Sequence, residues 1–219
     1  MNQLEVFKSQ EADRWFERNR ESLKPKDDVI VWLLDTYGLL NEKSSVLEVG
    51  ASNGYRLARL YEKYACRCVA VEPSQKAVED GKKSFPFLEF YPTTAEEMDF
   101  SEEFDLIIVN SVLSWIDRKN LFKVVANIDK ALKEDGILVI GDFQLPVLLK
   151  NPYHHVQEEV YTYKQPYKEI FLSSGLYLEL ASFCYNHDTK EFKDISLTNL
   201  FCVSLLRKQE LYLRQDKVL

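Results

Sequence analysis

Residues 46–54 read VLEVGASNG, an apolar strand carrying one carboxylate that runs straight into a glycine-bounded loop. A dinucleotide fingerprint needs glycines at relative positions 1, 3 and 6. Counted from Gly50 those positions hold Gly50, Ser52 and Tyr55, so only the first fits, and Tyr55 would crowd the helix–sheet contact. The pattern present is acidic-x-G-x-x-x-G, made by Glu48, Gly50 and Gly54. Glycine at these points lets the backbone turn tightly and approach a ligand. A carboxylate buried alone is costly, so Glu48 is expected either to order the loop or to meet a cationic or amine-bearing ligand through water. Eighteen residues past Gly54, Glu72 closes the segment VAVEP. At a strand end it is positioned to accept both hydroxyls of a ribose. The two carboxylates read as an adenosine site without a pyrophosphate cradle.

Outward from this loop, strand and helix patterns alternate. SSVLEVG, RCVAVEPS, LEFYPTT, FDLIIVN and ILVIGDF are strand-like; YRLARLYEKY, SQKAVEDGKKSF and KNLFKVVANIDKALKEDG are amphipathic and helix-like. Ser74 is a candidate N-cap. Such alternation predicts a parallel sheet covered on both faces. The first 40 residues read as helix, with Trp15, Phe16 and Leu23 at helical spacing. After Pro146 the pattern becomes loop-rich and aromatic. Two strand-like segments follow, LYLELASFCYN and LTNLFCVSLLRK, joined by NHDTKEFKDIS as an antiparallel pair. The fold class expected is α/β: a Rossmann-like, doubly wound seven-stranded sheet, mostly parallel with an antiparallel C-terminal strand, and helices on both faces. One domain spans 1–219, with a helical lid over 1–40 and an acceptor-covering insert over 143–172.

The 219 residues carry a net charge of −7, which argues against a general nucleic-acid binder, although KYACR (63–67) and LLRKQ (205–209) are locally basic. No apolar run approaches the roughly 20 residues that cross a bilayer, and the charged N-terminus lacks a signal segment. A cytoplasmic location is expected, as monomer or homodimer. Cys66, Cys68, Cys184 and Cys202 lack zinc-site spacing and are expected as reduced thiols, the first two sharing one strand face. No metal is expected.

VLEVGASNG, VAVEPS, TTAEEMDF, EEFDLIIVNSVLSWI and LKEDGILVIGDF together resemble the class I S-adenosylmethionine-dependent methyltransferases over residues 40–208. The resemblance implies S-adenosylmethionine as cofactor. Glu48, Gly50, Ala51, Ser52 and Gly54 would then lie along its amino-acid end and Glu72 on the ribose. Pro73 would pack on the adenine, Thr94 and Ala95 would line the adenine edge, and Asn110 and Ser111 would approach the sulfonium. The chain departs from the family pattern at Ser52, often glycine; at Thr94, often aspartate; and at Ser114–Trp115, where many members carry paired histidines.

Acceptor choice falls to segments outside this shared core. In the insert, NPYHHVQEEVYTY sets His154 and His155 three or four residues before Glu158 and Glu159, a spacing that can orient a histidine as base. His154 and His155 are therefore candidate proton acceptors, the alternative being surface histidines of a polar loop. Trp15, Trp115, Tyr153, Glu158 and Tyr161 are candidate acceptor contacts, with core packing as the competing reading for the aromatics. WFERN, the aromatic insert and the C-terminal segments are also similar, more loosely, to methyltransferases of surface-polysaccharide clusters of the pseudaminic-acid type. That implies a sugar or sugar-nucleotide oxygen as acceptor. A phenolic or amine acceptor, or a non-catalytic binding domain of the same fold, are the alternatives.

Overall fold

Strand-length apolar runs are satisfied when both faces of their sheet are covered, and the computed structural model, which describes residues 2–193 and 196–212, arranges them so. The strands are β1 (Ser45–Val49), β2 (Arg67–Val71), β3 (Glu89–Tyr91), β4 (Phe104–Asn110), β5 (Leu132–Phe143), β6 (Leu149–Pro152), β7 (Tyr161–Lys164), β8 (Tyr177–Asn186) and β9 (Leu200–Lys208). Seven form one sheet in the order β3-β2-β1-β4-β5-β9-β8. β1 to β5 pair in parallel, whereas β9 runs antiparallel to β5 and β8 antiparallel to β9. This is the expected sheet, closed by the expected antiparallel pair. Strand order reverses at β1, so the switch point, where such sheets bind ligands, lies at the carboxyl ends of β1 and β4.

The helices are α1 (Gln3–Val6), α2 (Ala12–Asn19), α3 (Val29–Tyr37), α4 (Tyr55–Tyr64), α5 (Gln75–Ser84), α6 (Leu121–Ala131) and α7 (Lys168–Leu172). Alternate strand residues divide the core. Val46, Ala70 and Ile108 pack with Ile30 and Leu34 of α3 and Leu57 and Leu60 of α4. Leu47, Val71 and Ile107 pack with Val124 and Ile128 of α6 and Phe171 of α7. Asp28 caps α3 by accepting the Ile30 and Val31 N–H groups, and Ser74 caps α5 as expected, accepting from Ala77 at 3.1 Å.

Four expectations change. The N-terminal helix is interrupted: a wide π turn, Phe7–Glu11, separates α1 from α2, and residues 24–28 are not helical. The helix expected to reach Gly136 stops at Ala131, because Leu132 leaves it to pair with Phe104 and Lys208 takes the Asp129 and Leu132 carbonyls. The insert contains a hairpin, with Leu149–Pro152 paired to Tyr161–Lys164. Cys184 and Cys202 face each other across β8 and β9 and are joined as a disulfide, while Cys66 and Cys68 are free and buried with sulfurs 3.6 Å apart. The basic stretches are spent on ion pairs, Arg67 with Glu89 and Glu103, and Arg207 with Asp135. The expected link between β8 and β9 includes residues 194 and 195, which lie outside the described residues, as do 1 and 213–219 of the single-domain span.

Gly81 in α5 faces the first loop so closely that a Cβ there would lie 2.6 Å from the Asn53 carbonyl oxygen. Backbone at that distance cannot turn aside, so Gly81→Ala should lower stability by about 1–3 kcal/mol in urea unfolding. An unchanged midpoint and slope would show that α5 can back away from the loop.

Candidate functional site

The loop after β1 wraps the end of β2: the Gly50 and Ala51 N–H groups both donate to the Val71 carbonyl, at 2.8 and 3.2 Å. Gly50 has φ 72°, and a Cβ on it would meet a Val112 methyl at 2.5 Å, so this position requires glycine. Ser52 also sits in the left-handed region, at φ 53°, which costs a side-chain-bearing residue roughly 1–2 kcal/mol. Its N–H donates to Glu72 Oε2 at 2.8 Å, and the Ser74 N–H donates to Oε1 at 2.8 Å. Glu72 thus joins the loop after β1 to the loop after β2. Burial pushes its carboxyl up to about 7, against the downward pull of the two amide donors.

Glu48, only 2% exposed, meets Arg56 through Oε1; Arg56 is itself buried and donates to Asp28 Oδ2 at 2.7 Å. The expected partner of the strand carboxylate is therefore a protein cation. Burial raises the Glu48 pKa while Arg56 opposes the rise. Glu48 Oε2 has no hydrogen-bond partner, and neither do Ser52 Oγ and Thr94 Oγ1, all buried. Ala51 and Ala95 are buried near them in sequence, and Pro73 is half-buried. Gly54 opens α4 at φ 76°.

At the end of β4, Asn110 is opposite Gly141, whose missing Cβ leaves room for the Asn110 side chain. Ser111 is exposed, at φ 56°, and its N–H donates to the Gly141 carbonyl at 2.6 Å. Two non-glycine residues in left-handed backbone, Ser52 and Ser111, therefore flank the switch point, as strained residues do at functional sites. Asp142, buried at the end of β5, accepts the Ser114 N–H at 3.1 Å and fixes the turn carrying Trp115. Burial pushes Asp142 up to about 6.

The N-terminal segment crosses these strand ends. Gln3 donates to the carbonyls of Trp115 and Tyr161, Lys8 pairs with Glu97 at 2.6 Å, and Asp13 accepts from Ser74 Oγ at 2.6 Å. The insert is held to the same segment: Gln10 donates to Glu158 Oε1 at 2.9 Å, and the Tyr153 hydroxyl donates to Glu11 Oε1 at 2.6 Å. Tyr153, Glu158, Tyr161 and Trp115 thus all reach the N-terminal segment, with the Trp115 and Tyr153 rings 4.6 Å apart. Trp15 does not join them. It is 37% exposed, because the buried face of α2 passes through Ala12 and Phe16. His154 and His155 are exposed on the turn between β6 and β7, and neither makes a hydrogen bond among the described residues. Glu158, which was to orient them, is bonded to Gln10 instead, so the geometry lends the histidines no support as base. Reading the sequence missed Gln3, Glu11, Arg56 and Asp142; only Arg56 carried a signal, being four residues before the core residue Leu60.

Among the described residues no group of three or more His, Cys, Asp or Glu is arranged for a metal, and no helix is long and apolar enough to cross a membrane.

A protein-family model described as a methyltransferase domain matches residues 47–140, from β1 to β5. A malonyl-[acyl-carrier protein] O-methyltransferase of Bacillus anthracis is 28% identical over 113 residues; the aligned stretch is 50% of this chain and 41% of that relative's length. Among solved structures, the 1,6-didemethyltoxoflavin N1-methyltransferase of Burkholderia thailandensis, with bound 1,6-didemethyltoxoflavin and S-adenosylhomocysteine, superposes with TM-score 0.62 at 17% identity. It covers 81% of this chain and 75% of that one. An S-adenosylmethionine-dependent methyltransferase of Methanosarcina mazei gives TM-score 0.64 at 14% identity over 80% of this chain and 97% of that one. The structures share the fold. The domain match supports a methyltransferase, and the residues present fit S-adenosylmethionine, the cofactor that the resemblance implies: the unpartnered Glu48, Ser52 and Thr94 oxygens are buried at the ends of β1 and β3, where it would supply donors.

Glu72→Ala should weaken S-adenosylhomocysteine binding by roughly 1–3 kcal/mol, the scale of a lost charged hydrogen bond. With a carboxyl at about 7, the ionised, acceptor-only form grows as pH rises. Calorimetry should then find affinity about tenfold higher at pH 8 than at pH 6, with a shallower dependence in Glu72→Ala, where the Glu48 carboxyl, also raised to about 7, still titrates. Unchanged affinity in the folded variant would refute the assignment.

Proposed function

We propose that the protein is an S-adenosylmethionine-dependent methyltransferase acting on a small molecule, with a sugar or sugar-nucleotide-like oxygen as acceptor. The observation that carries the reading is the loop of residues 50–54, strained at Ser52 and bonded to the buried carboxylate of Glu72. The cofactor, when bound, supplies an activated methyl group on a sulfonium that leaves as a neutral thioether. Each Glu72 oxygen has a lone pair beyond the one its amide donor uses, so the carboxylate can take ribose hydroxyls without releasing the loop. Thr94 Oγ1 is available to the adenine edge, and Glu48 Oε2 and Ser52 Oγ to the amino-acid end. What remains for the protein is alignment of donor and acceptor and removal of water. The lid and insert, joined through Gln3, Gln10 and Glu11, do both.

The acceptor reading rests on the insert. Tyrosines offer a flat apolar face with a polar edge, which suits a sugar ring, and Tyr153 and Tyr161 are both half-buried against the lid. The Bacillus anthracis and Burkholderia thailandensis proteins are named for an acyl-carrier protein and a toxoflavin precursor; acceptors that differ so much point to the variable segments as the source of choice.

A coupled homocysteine-release screen across sugars, nucleotide sugars, phenols and amines checks this, and release with a sugar or nucleotide sugar is expected. Release confined to phenols or amines moves the acceptor class. No binding of S-adenosylmethionine or S-adenosylhomocysteine at millimolar concentration removes the enzyme reading altogether.

A further inference from the structure

Glu11 is the one lid carboxylate with no accessible surface, and its Oε2 has no hydrogen-bond partner. Its position follows from the π turn. Val6, Glu11, Ala12 and Phe16 form the buried face of the N-terminal segment, and the step from Val6 to Glu11 is five residues rather than the three or four of an α-helix. The widened turn therefore brings Glu11 onto the inner face; such turns are frequent at functional sites. The segment is anchored at Trp115 beyond β4 and at Ser74 beyond β2. β1 lies between those strands in the sheet, and Glu11 lies between the two anchors along the segment. Glu11 Oε1 is already bonded, to Arg18 and to the Tyr153 hydroxyl. Burial, and then the bond to Glu11, push Tyr153 above the ordinary tyrosine value, so its hydroxyl keeps its proton.

Taking the proposed methyltransferase reading as its premise, we propose that Glu11 Oε2, sealed from solvent in this structure, is uncovered when the acceptor enters beneath the N-terminal segment and receives the hydrogen of the acceptor's nucleophilic group. The substrates are then hydroxyl or amine compounds, not carboxylates. As the acceptor oxygen bonds to the methyl carbon, its proton passes to Oε2, and the electron pair of the broken carbon–sulfur bond stays on sulfur. Water later takes the proton from Glu11. A carboxylate acceptor has no proton to give and meets Glu11 as a like charge. Arg18 and Tyr153 are positioning residues that hold the carboxylate through its other oxygen.

Sinefungin, in which an amino-bearing carbon replaces the methyl-bearing sulfur, puts an ammonium where the transferred methyl sits. Calorimetry at pH 8 on the full chain should find it bound about tenfold tighter than S-adenosylhomocysteine, the scale of one charge-assisted hydrogen bond. Glu11→Gln, nearly isosteric, should abolish that preference and leave S-adenosylhomocysteine affinity within about twofold, with Glu11→Asp restoring part of it. A preference unchanged in Glu11→Gln, or absent from the wild type, overturns the role of Glu11 and leaves the methyltransferase reading standing. Failure of the wild type to bind either ligand overturns both. Should Glu11→Gln fail to fold, Glu11→Asp decides by the same ratio: partial loss of the preference supports Glu11 as the partner, and full retention overturns it.

Discussion

The carboxylate of Glu72 holds two loops that the sheet alone would leave independent. One oxygen takes the Ser52 N–H and the other the Ser74 N–H. The first bond offsets the conformational strain of a serine in left-handed backbone; the second fixes the chain where it enters α5, whose cap is Ser74 itself. Ser74 in turn gives its hydroxyl hydrogen to Asp13, so the lid is referred to the same point. Loop, strand end and helix start thus share one buried group, and the N-terminal segment meets it through Ser74.

Burial gives this arrangement a chemical consequence. Glu48, Glu72 and Asp142 each stand at the carboxyl end of a parallel strand, and burial raises each of them. A carboxyl with a raised folded-state pKa favours the folded protein most below its unfolded value and loses that contribution as pH rises through the folded one. For Glu72 and Asp142 the loss falls between about 4 and 7.

Most of the architecture was legible because it repeats short-range signals: apolar runs of strand length, helical stripes between them, and glycines where the backbone turns left-handed. Glu48, Gly50, Gly54 and Glu72 were legible because their spacing is fixed by one strand–turn–helix unit. What escaped depends on contacts that form only once elements pack against one another. Arg56 pairs with Glu48 only after α4 packs on β1. The register of β8 on β9 brings Cys184 to Cys202. Glu11 is polar and lies in a charged stretch; nothing local marks the π turn that carries it inward, nor the bond to Tyr153, 142 residues away. The histidine pair was read from a spacing suited to helix, whereas the chain places it on an exposed turn.

The account stands on the claim that the loop of residues 50–54, the Glu72 strand end and the N-terminal segment form one binding site. Hydrogen–deuterium exchange with and without S-adenosylhomocysteine tests it most directly. The account predicts ligand-dependent protection concentrated in three peptides, those spanning 3–19, 50–54 and 72–74, with little change in β8 and β9. Protection confined to other parts of the chain, or a lid that exchanges equally fast in both states, would contradict it.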